Sequence, residues 1–389
     1  GGRMEEGGYR PVIRSVNDVV MMKGLHPPQS PQSQPQPPNN EPPAPIVTPN
    51  TPPPPPPMPP QLQNNLVTLP PSTAKSFFSF LQSEMGGGGR SDIIPLFWHI
   101  SKSGGTTVEE LCSRCFNLVK ASGKSISTTG EIQHDDEDNG PVKVIFVYGL
   151  HKVNVDMSTI EGIARAKQQN LIQSSLAQII FTPHIHESST LFTSTTQKGQ
   201  LFTVFRHPIH RAVSLFHYLQ HASWEPTYNP KLKDMSIEDY AMSEEHVEED
   251  WMVRKLVNKM EGPLMMEDLE LAKEIVRTKC IVGLMDHMEE SMRRFSQVFG
   301  WNNANPSSSQ QQLLPSPSNT NDVNQEIQNL NVQTCMKNIL EKGGENKFAH
   351  PTEVEGSMAW ELLKLKNVWD MQLYEYVLFL FEEQAILFQ

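Results

Sequence analysis

Leu96-Phe-Trp-His-Ile-Ser-Lys-Ser-Gly-Gly-Thr-Thr107 is an apolar run that breaks at Ser101-Lys102-Ser103-Gly104-Gly105 and resumes in the helix-like segment Thr106 to Cys112. A buried strand feeding a glycine-containing turn and then a helix N-terminus gathers backbone N–H groups, a lysine and hydroxyls around one point. That is the chemistry a phosphate needs. The stretch therefore predicts an α/β domain that holds a nucleotide-like anion beyond the end of its first strand.

The same architecture recurs at Leu201-Phe-Thr-Val-Phe-Arg-His-Pro-Ile-His-Arg-Ala-Val-Ser214, where a strand, a short turn and a helix follow one another. Arg206 stands where the strand ends, and Ser214 lies about two turns into the helix, so a guanidinium and a hydroxyl can reach one phosphate. An ordinary ATP-binding loop reads G-x-x-x-x-G-K-[ST], with its lysine after the second glycine. Here Lys102 precedes Gly104 and Gly105, and the reading moves away from ATP.

Outward from these loops the composition is uneven. Of the 389 residues, the first ninety do not read as foldable: eighteen of the residues between His26 and Gln61 are proline, and Gly86 to Gly89 closes the stretch as a hinge. Such a segment buries too little apolar area to offset its ordering entropy and is expected to be a disordered, Pro-rich arm or stem spanning 1–90. Residues 91–389 then form one α/β domain, interrupted at about 302–329 by a Ser/Gln/Asn/Pro-rich insertion.

Within that domain, apolar runs alternate with amphipathic segments, the signature of a parallel sheet covered by helices. Strands are expected at Ile93–Ile100, Val142–Tyr148, Gln178–Thr182, Gln200–Phe205 and Cys280–Met285. Helices are expected at Thr106–Ala121, Ser158–Gln173, Pro208–Gln220, Ser236–Met242, Glu248–Lys259, Glu267–Thr278 and Asp286–Phe299, with one long amphipathic helix over Ser357–Phe388. Ser122 to Asn139 reads as an acidic loop.

The net charge of −12 argues against a general nucleic-acid or anionic-membrane binder, so any anion site must be local. The four cysteines make no disulfide framework, and Cys112-Ser-Arg-Cys115 has no second pair at zinc-site spacing. Both are expected on a helix without metal, with a disulfide open to them in an oxidising compartment. The stretch Val368 to Phe388 comes closest to a membrane span but carries Asp370, Glu375, Glu382 and Glu383. The chain opens Gly1-Gly2-Arg3 and reads as a fragment, which leaves room for an N-terminal anchor or signal outside it. No N-x-[ST] sequon occurs, since Asn305-Pro306-Ser307 carries proline at its centre.

The two loops together resemble those of sulfotransferases that use 3′-phosphoadenosine 5′-phosphosulfate, in particular the membrane-type, Golgi-like carbohydrate enzymes and their heparan sulfate O-sulfotransferases. His99-Ile-Ser-Lys-Ser-Gly-Gly-Thr-Thr107 is similar to the 5′-phosphosulfate loop H-I-P-K-[TS]-G-G-[TS]-[TS] and departs from it at Ser101. Arg206-His-Pro-Ile-His-Arg-Ala-Val-Ser214 matches the 3′-phosphate motif R-[DH]-P-x-x-R-x-x-S. The likeness extends to Phe205–Tyr228, Asp250–Arg254, Val282–Leu284 with Glu289–Ser291, and Trp369–Tyr374.

The resemblance implies a P-loop-like three-layer α/β fold with a central, mostly parallel sheet of about five strands. It also implies an enzyme that moves a sulfuryl group onto a carbohydrate hydroxyl in the Golgi or secretory pathway, on the luminal side, with the phosphosulfate donor as co-substrate and no metal. Ser101, Lys102, Ser103, Gly104, Gly105, Thr106 and Thr107 would hold the 5′ end of the donor, with Lys102 neutralising the bridging oxygen. Arg206 and Ser214 would hold the 3′-phosphate. A histidine ahead of the 3′-phosphate loop serves the relatives as base, and Phe181-Thr-Pro-His-Ile-His-Glu187 occupies that place. His186 is preferred because it resembles the second histidine of the relatives' His-x-His segment and Glu187 is beside it; His184 follows, and His151, after the previous expected strand, is the outsider. Arg211 and Arg254 either add positive potential or pair with the carboxylates between Glu244 and Asp250. Two other readings remain: a P-loop nucleotide kinase or NTPase, opposed by the displaced lysine and the lack of a Walker-B-type acid, and a non-catalytic scaffold using the Pro-rich arm.

Overall fold

A computed structural model describes residues 67–79, 93–123, 140–193, 197–225, 227–301, 321–342 and 351–388, with the side chains of the 321–342 segment described from 329 onward. Most of the Pro-rich arm, the acidic loop from 124 to 139 and the insertion from 302 to 320 lie outside these residues. The elements begin with α1 (Pro71–Lys75), β1 (Ile93–Trp98), α2 (Gly105–Arg114), β2 (Lys120–Ser122), β3 (Val144–Val147) and β4 (Leu150–Asp156). There follow α3 (Ile160–Gln168), α4 (Leu171–Ser174), β5 (Ile179–Thr182), α5 (Ile185–Ser189), β6 (Lys198–Phe205), α6 (Pro208–Leu219) and α7 (Ile237–Met242). The chain continues through α8 (Trp251–Val257), α9 (Met266–Lys279), β7 (Cys280–Leu284) and α10 (Met288–Phe299), then α11 (Asn321–Lys342), α12 (Met358–Lys366) and α13 (Val368–Ala385).

The fold is α/β, with one seven-stranded sheet in the order β3-β4-β2-β5-β1-β6-β7. All neighbours run parallel except the β3–β4 pair. The central strands are apolar on both faces because each face is covered by helices. Along β1, Leu96 and Trp98 enter one core with residues of α3, α8, α9 and α13. Phe97 points the other way, into a core with α2, α10 and α11. Three layers result, as the sequence predicts. A further apolar cluster joins α6, α7 and α12.

The sheet is wider than the expected five strands, for identifiable reasons. Lys120 is buried in β2 and its ammonium donates to Glu109 Oε1 at 2.7 Å, so a strand position reads as polar. The helix expected to reach Ala121 accordingly ends at Arg114. In β4, Lys152 and Asn154 are buried, and the Asn154 amide is satisfied by main-chain groups of Lys143 and Pro141. The run at Val142–Tyr148 is the antiparallel edge strand β3, turned into β4 at Tyr148-Gly149, both at positive φ (49° and 79°) as a two-residue hairpin turn demands.

Three helix boundaries are also corrected. Asn170, at φ 54°, separates α3 from α4. Asn367 divides the expected C-terminal helix into α12 and α13, with its side-chain amide donating to Leu363 O. The tail of the supposed insertion, from Asn321, is helix α11. Finally, residues 67–79, placed in the arm by composition, pack on the domain: Phe77 and Thr73 are buried and Phe77 forms a parallel bridge to Gly199 of β6.

Candidate active site

The order of strands fixes where the two loops meet. From β1 the chain passes through α2 to β2, on the β5 side of β1, whereas from β6 it passes through α6 to α9 to β7, on the opposite side. Adjacent parallel strands whose connections leave in opposite directions open a crevice at their carboxyl ends, and in such sheets ligands bind there. The Ser101–Thr107 loop and Arg206 occupy these two strand ends, β1 and β6 being paired from Ile93↔Lys198 to Phe97↔Phe202.

The loop after β1 is tightly specified. His99 N donates to Thr182 O at 2.8 Å, and Ser103 N closes the turn on Ile100 O at 3.2 Å. Lys102 is held at φ 63° and Gly104 at φ 82°. At Gly104 the left-handed backbone favours glycine, and an added Cβ would meet Met288 Cε at 2.7 Å; at Gly105 it would meet the His99 ring at 2.5 Å. Gly104 is the N-cap of α2 and offers no side chain to its first amides. Ser103 is 1% exposed, and its hydroxyl has no partner among the described residues. A buried hydroxyl left unpaired costs about 1–3 kcal/mol, so an anion accepting from it there recovers that cost.

The second loop is tied to the first. Arg206 Nη1 donates to Lys102 O at 2.9 Å, linking the two candidate anion subsites through the main chain. Ser214 is buried in the second turn of α6. The Lys102 ammonium lies 3.8 Å from the centroid of the Tyr218 ring. Burial and the neighbouring Arg206 push it down to about 8, against the opposite pull of Glu225. His207 stacks on Trp360 with ring centroids 5.2 Å apart, and burial with the nearby His210 pushes it down to about 4. The imidazole beside Arg206 is thus neutral at physiological pH, leaving the guanidinium as the cation of that turn.

The histidines divide. His186 has both ring nitrogens engaged: Nε2 faces Lys255 O at 2.9 Å and Leu256 O at 3.1 Å, and Nδ1 faces Ser72 Oγ. Carbonyls only accept, so Nε2 carries the proton and Nδ1 accepts from the serine. His184 Nε2 donates to Ser158 O at 3.0 Å, which leaves Nδ1 as the basic nitrogen, and no hydrogen bond to Nδ1 is formed among the described residues. The geometry favours His184 over His186 as the one able to take a proton. Trp98 on β1 lies opposite Thr182 on β5, so His184 and Lys102 leave the same edge of adjacent strands. His151 sits at the start of β4 beside the hairpin turn, at the opposite edge, and not at a strand's carboxyl end as the sequence suggests.

The two further arginines serve the frame. Arg211 is fully buried and paired with Glu248 Oε2 at 2.9 Å. Arg254 donates to the carbonyls of Glu249, Lys259 and Gly262. Sequence reasoning missed Tyr218, Trp224 and Glu225; the signal was that Tyr218 falls one helical turn after Ser214, on the same face of α6. Among the described residues, no three His, Cys, Asp or Glu side chains are grouped to hold a metal, and no helix is long and apolar enough to cross a membrane. Comparison with models of known protein families and with curated proteins finds no match to this chain.

Proposed function

We propose that the chain is a carbohydrate sulfotransferase, moving a sulfuryl group from 3′-phosphoadenosine 5′-phosphosulfate to a hydroxyl of a carbohydrate or polysaccharide. The observation that carries this reading is the pair of candidate anion loops at the carboxyl ends of β1 and β6, joined by the Arg206–Lys102 hydrogen bond. A donor with a phosphosulfate at one end and a phosphate at the other calls for two such sites side by side. The loop amides, the Ser103 hydroxyl and Lys102 hold the 5′ end, and Arg206 with Ser214 holds the 3′-phosphate. The two motifs resemble the sulfotransferase pair in residue type, spacing and order.

In the reaction, the acceptor oxygen bonds to sulfur as the bond from sulfur to the bridging oxygen breaks. The electron pair of that bond stays on the 5′-phosphate oxygen, where Lys102 neutralises the developing charge. The hydroxyl proton passes to Nδ1 of His184, whose opposite nitrogen is anchored on Ser158 O. The Cys115–Cys335 disulfide supports a compartment that is oxidising, such as the lumen of the secretory pathway.

The test is a thermal-shift titration with the phosphosulfate donor and with ATP and magnesium separately, followed by transfer of labelled sulfate to a panel of polysaccharides. Donor at one hundred times its Kd should stabilise the fold by about 2.7 kcal/mol. Stabilisation by ATP with magnesium alone would overturn the proposal.

A further inference from the structure

Tyr218 belongs to neither anion-binding motif, yet it makes the closest ring contact of the loop lysine: Lys102 Nζ lies 3.8 Å from its centroid, well within the roughly 6 Å over which a cation is attracted to an aromatic face. The ring is fixed at its far end. Its hydroxyl donates to Glu225 Oε1 at 2.7 Å and accepts from Trp224 Nε1 at 3.2 Å, both from the segment following α6. Burial, with Glu225 adding to it, raises the phenol far above its ordinary value, so it remains a donor to the carboxylate. Ser214 precedes Tyr218 by one turn of α6, so a single rigid helix presents both a candidate phosphate ligand and the surface on which the lysine rests.

The other end of Lys102 is also held. Its backbone sits at φ 63° and its carbonyl accepts from Arg206. A long side chain beside an arginine, with no carboxylate salt bridge among the described residues, would otherwise sample many rotamers before meeting a donor. We propose that Tyr218 is the positioning residue of this site: its clamped ring parks the Lys102 ammonium in the donor-free protein and releases it to the phosphosulfate on binding. The contact of Lys102 with the Tyr218 ring does not depend on which anion the site takes. Only the identity of the group that displaces it rests on the sulfotransferase reading.

The experiment labels the full chain by reductive ¹³C-methylation, which preserves lysine charge, and follows the Lys102 methyl signals, assigned with Lys102→Arg. Without donor they should fall upfield of the other lysine methyls because of the Tyr218 ring current, and move downfield when donor is added. A second measurement follows acylation of Lys102 by acetic anhydride against pH, read by peptide mass spectrometry. Removing the ring removes a stabiliser of the charged form, so Tyr218→Leu should acylate several-fold faster at pH 7, and Tyr218→Phe should restore most of the wild-type protection.

An unshifted Lys102 signal in the wild-type protein overturns the proposal, and this needs no variant to fold. Equal acylation of the Leu and Phe variants also overturns it, because the hydroxyl clamp alone would then be at work. If the upfield signal is present and phosphosulfate leaves it unmoved, the parking of Lys102 stands, the release step fails and so does the choice of donor. If donor moves the signal and no acceptor is sulfated, the positioning role stands and the assignment as a transferase fails.

Discussion

In the proposed reaction Lys102 must be charged to stabilise a leaving phosphate, yet burial and the neighbouring Arg206 lower its pKa to about 8. The free protein therefore carries this cation below pH 8 and loses it as pH rises through that value, so kcat/KM for the donor should show a basic limb near pH 8. Between about 8 and 10.5 the unfolded chain holds the proton that the folded chain has released, and this group adds stability as pH climbs through that window. Lys102→Ala should cost about 10²–10³ in kcat with the melting temperature maintained. Single-turnover transfer and a calorimetric melt check both. The histidines give a second contrast. His184→Ala should lower kcat by about 10²–10⁴ while sacrificing one hydrogen bond, whereas His186→Ala should cost about 1–3 kcal/mol of stability by stranding partners on α1 and α8. A variant at His186 that melts like wild type and abolishes transfer would reverse the assignment. In the sequence the two were distinguished by Glu187 beside His186 and by the likeness of His186 to the second histidine of the relatives' His-x-His segment. What separates them is tertiary, a serine 114 positions earlier and carbonyls 69 and 70 positions later.

At the scale of elements, α8 and α13 cap each other. Asp250 Oδ1 accepts from Trp369 N at 2.8 Å and Asp370 N at 3.1 Å, while Asp370 accepts from Met252 N at 3.0 Å and Val253 N at 2.8 Å. Each carboxylate thus meets the positive end of the other's helix. Burial pushes the Asp370 carboxyl up to about 7, with Arg211 and the two amides opposing. Between 3.8 and about 7 the folded chain holds a proton that the unfolded chain has lost, so this group makes stability fall as pH rises across that window. Asp370→Asn should flatten the dependence, checked by urea unfolding from pH 4 to pH 7; a slope equal to the wild type's would show that Asp370 does not titrate there. In the sequence the same acid spoke against a membrane span and lay in the Trp369–Tyr374 likeness, but its capping role was hidden because its partner helix begins at Trp251. Strands were legible in proportion to their apolarity: β1, β5, β6 and β7 announce themselves. Short β2 and polar β4 do not, since Lys120, Lys152 and Asn154 are buried by virtue of partners that composition cannot display.

For the whole molecule, the strand-turn-helix form of the candidate loops was more legible than the frame around them, because such a loop is local in sequence and the closing of the core is not. The Cys115–Cys335 disulfide spans 220 positions, and the sequence, while leaving a disulfide open to Cys115, does not point to Cys335 as its partner. It pins α11 to the carboxyl end of α2, the helix whose amino end follows Gly104, while Cys112 and Cys280 remain buried thiols. A cross-link closing so long a loop stabilises chiefly by restricting the unfolded chain, so the double variant Cys115→Ser, Cys335→Ser should lose about 2–4 kcal/mol. Reductant should lower the melting temperature of the wild type and leave that of the double variant unchanged. The anion loop is held independently, by Ser103 N on Ile100 O, by Arg206 on Lys102 O and by close packing of Gly104 and Gly105 on Met288 and His99. Donor affinity, measured calorimetrically well below the lowered melting temperature, should therefore stay within about twofold of wild type, a difference of about 0.4 kcal/mol. A much larger loss would mean that the disulfide transmits through α2 to the phosphate cradle, and the bond would then be part of the site rather than a staple behind it.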